Sequence, residues 1–196
     1  MPISKFYGRG QVVDEFGNTH PMAGDNMFRG APIVISHSHH EIHCGDSYVS
    51  TYIKDVPIDG TLDILVVVPN ELPPYPDQDQ RLYHVEAILL AEAECELSIF
   101  EAPTVSANGT AMLVVNRNRN SEETSDLGVF HTPTVTSEGN FLEAVHLGSK
   151  NQEGGGDKAD EFVLRNDTLY LYRVTSFAPS TNQITIKLNH YIHPGI

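Results

Sequence analysis

Four histidines and one glutamate stand close together near residue 40, and they are the side chains best suited to chemistry in this sequence. They are His37, His39, His40, His43 and Glu41. On a strand, alternate residues point to the same face, so His37, His39 and Glu41 would lie side by side. Two imidazoles and a carboxylate are ligands that Zn²⁺ or iron accepts. A metal-binding protein is therefore one hypothesis for this segment.

The spacing within this cluster differs from that of familiar β-barrel metal sites. Dioxygenases of the cupin type use a His-x-His pair followed by a more distant glutamate, whereas Glu41 comes two residues after His39. No second Gly-rich motif with a downstream histidine is evident. We therefore expect ordinary polar or intersubunit histidines, with no metal and no cofactor, and we keep a cupin-like metalloprotein as a lesser alternative.

Other catalytic signatures are missing from the sequence. It contains no Gly-x-Ser-x-Gly, and neither Cys44 nor Cys95 has the local pattern of a nucleophile. The glycines at 154–156 lack the Lys-Ser/Thr of a phosphate-binding loop. The two cysteines are too far apart for a CxxC site, so we expect both to be reduced, buried and small. The sequence favours a protein that is not an enzyme.

A polar tract, Asn116-Arg-Asn-Arg-Asn120, holds two of the few cations of an acidic chain. Guanidinium groups flanked by amides suit bidentate pairing with carboxylates on a partner or on another copy of the chain. A solvated loop would have the same composition. Both interpretations of Arg117 and Arg119 stay open at this point.

The charge balance excludes several classes of partner. The formal net charge is −14, from 12 basic and 26 acidic residues. Such a surface repels phosphate backbones and anionic lipids, so we expect no nucleic acid and no membrane as partners. No stretch approaches the roughly 20 apolar residues of a membrane span. We expect a soluble protein, made in a cytoplasm.

One phrase of the sequence occurs twice, and the predicted elements are arranged around it. Phe100-Glu-Ala-Pro-Thr-Val-Ser-Ala-Asn-Gly109 is followed by Phe130-His-Thr-Pro-Thr-Val-Thr-Ser-Glu-Gly139. Each copy combines the end of a strand, a proline without an N–H donor, a β-branched pair and a glycine that tolerates positive φ. Two copies predict a pair of similar hairpins rather than a solenoid, which needs more repeats.

Alternating apolar residues elsewhere predict nine or ten short strands and no convincing helix. The ambiguous stretch is 81–100, where strong helix formers compete with a period of two; we predict two strands with a turn at Ala91-Glu-Ala93. The expected fold is an all-β, antiparallel, jelly-roll-like β-sandwich over residues 33–196. Residues 1–32 are rich in glycine and are expected to form an extended N-terminal arm. Its apolar residues either cover the chain's own core or dock on a neighbouring subunit.

Several of these phrases together resemble a group of tailed-bacteriophage virion proteins of the head decoration or cement type. The phrases are His40-Glu-Ile-His43-x-Gly45-x-x-Tyr48, Pro103–Thr110, Asn116–Ser121, the Gly-rich loop at Gly154 and Tyr170-Leu-Tyr-Arg-Val-Thr. The resemblance covers roughly residues 37–193. It implies a non-enzymatic β-sandwich that assembles as a homo-oligomer, a dimer or trimer, on the outer surface of the capsid. The implied partner is the major capsid protein, and the alternative is a tail, baseplate or fibre-adaptor component.

A decoration protein needs many weak contacts and an arm that becomes ordered on docking. We therefore predict that its capsid or intersubunit contacts come from the aromatic residues of the arm, the histidine cluster and the two arginines of the polar tract. The residues are Phe6, Tyr7, Phe16, Phe28, His37, His39, His40, His43, Arg117 and Arg119.

Overall fold

A computed structural model describes residues 11–13, 19–21, 37–70, 81–148 and 157–194 of the chain. Nearly all the regular structure is β. In chain order the elements are β1 (Gln11–Val13), β2 (Thr19–Pro21), α1 (His37–Cys44), β3 (Ser47–Val56), β4 (Thr61–Val67), β5 (Arg81–Ala91), β6 (Cys95–Glu101), β7 (Thr104–Ala107), β8 (Thr110–Ala111), β9 (Val115–Asn116), β10 (Gly128–His131), β11 (Thr134–Ser137), β12 (Asn140–Leu147), β13 (Asp157–Lys158), β14 (Phe162–Leu164), β15 (Leu169–Ser176) and β16 (Asn182–Pro194).

Two six-stranded antiparallel sheets form the body of the protein. The first has the order β12-β6-β15-β4-β10-β8, and the second has the order β13-β5-β16-β3-β9 with β14 also paired to β5. The predicted all-β sandwich is thereby confirmed. The finer prediction of a jelly-roll connectivity stays a prediction.

The core lies between the two sheets and follows from the period of two along their central strands. On β16, Ile184, Ile186 and Leu188 are buried while the residues between them are not. The facing side chains of the first sheet include Leu97 and Ile99 of β6. Because successive strand residues point to opposite faces, this alternation was readable in the sequence and fixes which face of each strand is buried.

The ambiguous stretch 81–100 forms two strands, as predicted, and the helical alternative is wrong. The turn between β5 and β6 is held by Asn182, whose Oδ1 accepts from the Ala93 N–H at 2.9 Å and whose Nδ2 donates to the Ala93 carbonyl at 3.1 Å. β5 pairs along β16 from Arg81 opposite Pro194 to Ala91 opposite Ile184. Pairing of a whole strand with the sheet outweighs the helix propensity of its residues.

The histidine-rich segment is a helix, which corrects the expectation of an entirely helix-free chain. α1 ends at Gly45, which has a φ of +90°. The Gly45 N–H donates to the Ile42 carbonyl at 3.3 Å, and the Asp46 N–H donates to the Glu41 carbonyl at 3.0 Å. These two bonds form a Schellman ending, so the glycine is the local stop signal. No helix among the described residues combines the length and apolar character that crossing a membrane requires.

The chain divides into two compact units, Met1–His39 and His40–Ile196. In the first unit, β1 and β2 form a short antiparallel pair in which Val12 lies opposite His20. The composition of this segment predicts an extended arm and does not indicate a strand pair. The predicted boundary at residue 32 and the arm's role lie outside the described residues. A loop predicted over 151–158 also lies outside them except at its end, where Asp157–Lys158 form β13 instead.

Candidate docking surface

The two copies of the repeated phrase pair with each other. β7 and β11 form a two-stranded antiparallel ribbon in which Val135 lies opposite Val105 and Thr134 lies opposite Ala107. Ser137 lies opposite Thr104 in the same way. Thr104 and Thr134 hold equivalent places in the two copies, as do Ala107 and Ser137, so the ribbon has a local pseudo-two-fold axis at the valine pair. We call β7 and β11 the twin ribbon. The prediction of a pair of similar hairpins is wrong in its pairing, because the strand of each copy pairs with the strand of the other.

Each ribbon strand leaves the first sheet through a residue in the left-handed region. Ala102 has a φ of 55° and Thr132 has a φ of 56°, and each precedes the proline of its copy. The two backbones stay attached to the sheet here, because the Ala102 N–H donates to the Leu169 carbonyl at 2.8 Å and the Thr132 N–H donates to the Asp63 carbonyl at 3.1 Å. Left-handed residues other than glycine are uncommon, so the matching pair shows that both copies make the same turn.

The glycine of each copy packs against the turn of the other copy. A β-carbon on Gly109 would lie 2.3 Å from the His131 carbonyl oxygen, and one on Gly139 would lie 2.3 Å from the Glu101 carbonyl oxygen. Both glycines also have positive φ, 92° and 86°. Only a residue without a side chain meets both conditions at low cost. This reciprocal contact therefore requires glycine at both positions.

The twin ribbon begins at a row of apolar residues that crosses all six strands of the first sheet. Neighbours in the row are directly opposite each other in the strand register, in the order Phe141, Phe100, Leu171, Leu65, Phe130 and Ala111. We call this the transverse row. Leu65 and Leu171, at its centre, are fully buried yet do not belong to the main core between the sheets. The row therefore lies on the outer face of the sheet.

The twin ribbon covers the centre of this outer face. Arg173, on β15, makes a bidentate ion pair with Asp63 on β4, with nitrogen–oxygen distances of 2.8 and 2.7 Å, and also pairs with Glu138 at the end of β11. The hydrogen bonds to Asp63 are the first cause of the raised pKa of Arg173. The two ribbon prolines, Pro103 and Pro133, are buried. The ion pairs thus hold the ribbon against the sheet.

Both ends of the transverse row emerge from beneath the ribbon and are exposed. Phe141, on the edge strand β12, is 61 % exposed and packs edge-on against Phe100 with ring centroids 5.8 Å apart. Leu142 beside it is 37 % exposed, and Leu113, just beyond the opposite edge strand β8, is 79 % exposed. Phe141, Leu142 and Leu113 are three of the eight large apolar side chains that are exposed among the described residues.

The polar tract at 116–120 fixes the end of α1. Asn116 Nδ2 donates to the Gly45 carbonyl at 2.7 Å, and Asn118 Nδ2 donates to the His43 carbonyl at 3.0 Å. The side chain of Arg117 reaches only Ser47 Oγ, at 3.4 Å. Asn116 and Asn118 are therefore internal supports, while Arg117, Arg119 and Asn120 are exposed.

The sequence-predicted contact residues fall into three groups. Phe6, Tyr7, Phe16 and Phe28 lie outside the described residues, as does the side chain of His37. His39, His40 and His43 are exposed on α1, and Arg117 and Arg119 are exposed beside the end of that helix. The structure thus brings His43 and the polar tract together at the end of α1. Whether they contact a partner stays a prediction.

His37–Cys44 form a helix, so the strand on which His37, His39 and Glu41 were expected to share one face is not there. Residues two apart on a helix do not face each other, so α1 separates His37 from His39. The cupin-like reading rested on a strand that the structure does not have. The helix instead places His40, Glu41 and Cys44 close together.

Ser125 and His190 resemble a catalytic serine–histidine pair but lack the setting that catalysis requires. Ser125 Oγ lies 2.8 Å from His190 Nε2, yet His190 is 1 % exposed, and its Nδ1 has no hydrogen-bond partner among the described residues. Desolvation lowers the pKa of His190 to about 4. A general base needs substrate access and an orienting partner, and this histidine has neither. The pair is part of the packing.

The two cysteines are both free, as predicted, but only Cys95 is buried. Burial raises the pKa of Cys95 to about 11. Desolvation, followed by the negative charges of Glu41 and Asp46, raises the pKa of the exposed Cys44 thiol. Neither thiol has the lowered pKa of a reactive nucleophile.

The repeat is visible in the sequence, but the surface that it forms was not predicted from it. The signal for this surface was the apolar residue that starts each copy, Phe100 and Phe130, together with Phe141 after the second glycine. Pairing between the two copies brings these residues together. Comparison with models of protein families, with curated proteins and with solved structures gave no significant match.

Proposed function

We propose that this chain is a non-enzymatic virion structural protein of the decoration type, which binds the outer surface of a major capsid shell as an oligomer and stabilises it. The observation that carries the proposal is the exposure of three large apolar side chains at the ends of the transverse row, namely Phe141, Leu142 and Leu113. Phe141 packs edge-on against Phe100, so this end of the surface needs little reorganisation on docking. A preorganised surface loses less entropy when it binds.

The edges of the sheets offer a second means of attachment. β12 and β8 end the first sheet, and among the described residues each has a paired strand on one side only. Exposed edges pair readily with strands of other chains. Phe141 lies on one of these edges, so apolar contact and strand pairing would occur at the same place.

The charge of the protein favours a partner with basic patches. The net charge of −14 keeps many unassembled copies soluble and attracts a positively charged surface. We assign the aromatic arm, the α1 histidines and the two arginines to contacts with the shell or with a second copy. A multivalent attachment of this kind multiplies contacts that are individually weak.

The test is binding to shells assembled from the major capsid protein encoded in the same genome. We expect the purified chain to co-sediment with these shells and to saturate at hundreds of copies per particle. Phe141→Ser and Leu113→Ser should each weaken binding about 10-fold or more, since buried apolar anchors dominate interface energetics. The matched control is Ile53→Ser, because Ile53 is 58 % exposed but lies on β3 of the other sheet.

The outcomes separate the candidate roles. Saturation at a handful of copies, or binding only to isolated tails, would overturn decoration and favour a tail, baseplate or fibre-adaptor component. Saturation at high copy number with an equal loss of affinity in Phe141→Ser, Leu113→Ser and Ile53→Ser would show that the transverse row is not the docking surface. Absence of any association with virion components would overturn the proposal.

A further inference from the structure

Three different metal-binding groups converge on the last turns of α1. His40 Nδ1 lies 3.4 Å from Glu41 Oε1 and 3.5 Å from Cys44 Sγ. One donor atom from each of the three residues lies within 4.8 Å of the other two. An imidazole, a carboxylate and a thiol thus point at one small volume.

The helix accounts for this convergence. His40 and Cys44 are four residues apart, so they lie one above the other on the same face of α1. Glu41 is the next residue after His40, and its carboxylate turns back towards the imidazole. On a strand His40 and Glu41 would point to opposite faces, which is why the sequence alone predicts no metal for these three residues.

The separations match those between ligands of a single zinc ion. Zn²⁺ binds histidine nitrogen and carboxylate oxygen at about 2.0–2.2 Å and cysteine sulfur at about 2.3 Å. At a tetrahedral angle these bonds place neighbouring ligand atoms about 3.3–3.7 Å apart. The two distances from His40 Nδ1 fall inside that interval. An ion therefore fits with small side-chain adjustments.

The surroundings hold the donors in place and favour a cation. Glu41 is buried, with a side chain that is 7 % exposed, and its backbone carbonyl is fixed by the Schellman ending. Asn118 and Asn116 anchor the carbonyls of His43 and Gly45 at the same end of the helix. The C-terminal end of a helix carries partial negative charge, which attracts a positive ion. A supported site of this kind loses little entropy on binding metal.

We propose that His40, Glu41 and Cys44 form a zinc site that stabilises the last turns of α1. His40 and Cys44 are exposed, so the fourth coordination position is open to water. The mixed nitrogen, sulfur and oxygen set selects a borderline metal such as Zn²⁺ or Co²⁺ over Mg²⁺ and Ca²⁺, which require oxygen ligands. Because His40 is also one of the residues assigned above to docking contacts, zinc binding is tested on the free chain, where its outcome does not depend on the capsid role.

The experiment titrates Zn²⁺ into the full chain, purified without a histidine tag and kept reduced with a phosphine reductant. We expect one ion per chain, no competition from excess Mg²⁺, and a higher unfolding temperature with zinc, because a ligand that binds only the folded state stabilises it. His40→Ala and Cys44→Ser should each weaken zinc binding roughly 10-fold or more. Co²⁺ should give thiolate-to-metal absorption that Cys44→Ser abolishes.

The control is His146→Ala, which removes a half-exposed histidine on β12 that is 3.1 Å from Glu94. Zinc affinity in this variant should equal that of the parent chain. Circular dichroism checks that His40→Ala and Cys44→Ser still fold, as expected for exposed positions. Absence of stoichiometric binding, or equal affinity in the parent, His40→Ala and Cys44→Ser, would overturn the site and assign the short distances to ordinary hydrogen bonds.

Discussion

His190 shows how a single polar residue is accommodated in this core. It alternates with apolar residues on β16, stacks on Tyr48 with ring centroids 5.2 Å apart, and is paired through Nε2 with Ser125. Its Nδ1 has no hydrogen-bond partner among the described residues. A charged imidazolium there would lack compensation, so desolvation lowers its pKa to about 4.

This histidine should make the stability of the protein depend on pH. The unfolded chain takes up the proton near pH ~6.5 and the folded chain only near pH 4. The stabilising contribution is therefore complete above pH ~6.5 and is lost as the pH falls towards 4, by up to about 3 kcal/mol. Urea unfolding of the parent chain and of His190→Gln between pH 4 and 8 measures this, and the difference between them should change across that window.

The comparison needs a histidine that is not buried. His146→Gln serves, since its side chain is 50 % exposed. It should change the pH dependence much less than His190→Gln does. A constant difference in unfolding free energy between the parent and His190→Gln at all pH values would contradict the prediction.

At the scale of the element, the twin ribbon depends on pairing between two distant segments. Gly109 sits against the turn before β11, and Gly139 sits against the turn before β7. The two contacts are equivalent under the pseudo-two-fold axis. Substitution at either position should therefore have a similar cost, because it disturbs the same contact.

Gly109→Ala and Gly139→Ala should each lower the free energy of unfolding by about 1–3 kcal/mol, since the new methyl group meets a carbonyl oxygen and the backbone has positive φ. Chemical denaturation measures the change. Gly148→Ala is the control, because a β-carbon there would have no neighbouring atom within 4 Å. We expect that variant to change stability by less than about 0.5 kcal/mol. Equal effects at all three positions would refute the reciprocal contact.

At the scale of the whole molecule, two sheets share one core while the outer face of the first sheet carries a second, smaller apolar layer. Members of the main core come from both sheets, whereas Leu65 and Leu171 lie outside it, beneath the ribbon. The main core should therefore determine global stability. The outer layer should determine how well the docking surface is held.

Ile186→Ala should lower the free energy of unfolding by about 2–5 kcal/mol, because the side chain is 1 % exposed and its loss leaves a cavity. The matched control is Ile53→Ala, which removes the same atoms from a side chain that is 58 % exposed. That change should cost less than about 1 kcal/mol. Similar losses in the two variants would contradict the assignment of the core, and thermal unfolding of both gives the answer.

Much of the body could be predicted from local patterns. The alternation of Ile184, Ile186 and Leu188 identified a half-buried strand, and the hairpin over 81–101 followed from the same period. The helix α1 could not be predicted in this way. Its histidines have modest helix propensity, and its ending depends on Gly45 and on asparagines more than 70 residues away.

The sequence by itself determined the long strands of the two large sheets, their buried faces and the presence of two equivalent turns, because strand period and glycine or proline requirements are properties of neighbouring residues. Only the tertiary structure decided that the two turns pair with each other, that a row of apolar residues crosses six strands, and that His40, Glu41 and Cys44 meet. These depend on strand register and on the choice of helix over strand at one segment. Both are settled by contacts between residues far apart in the chain, which no local pattern records.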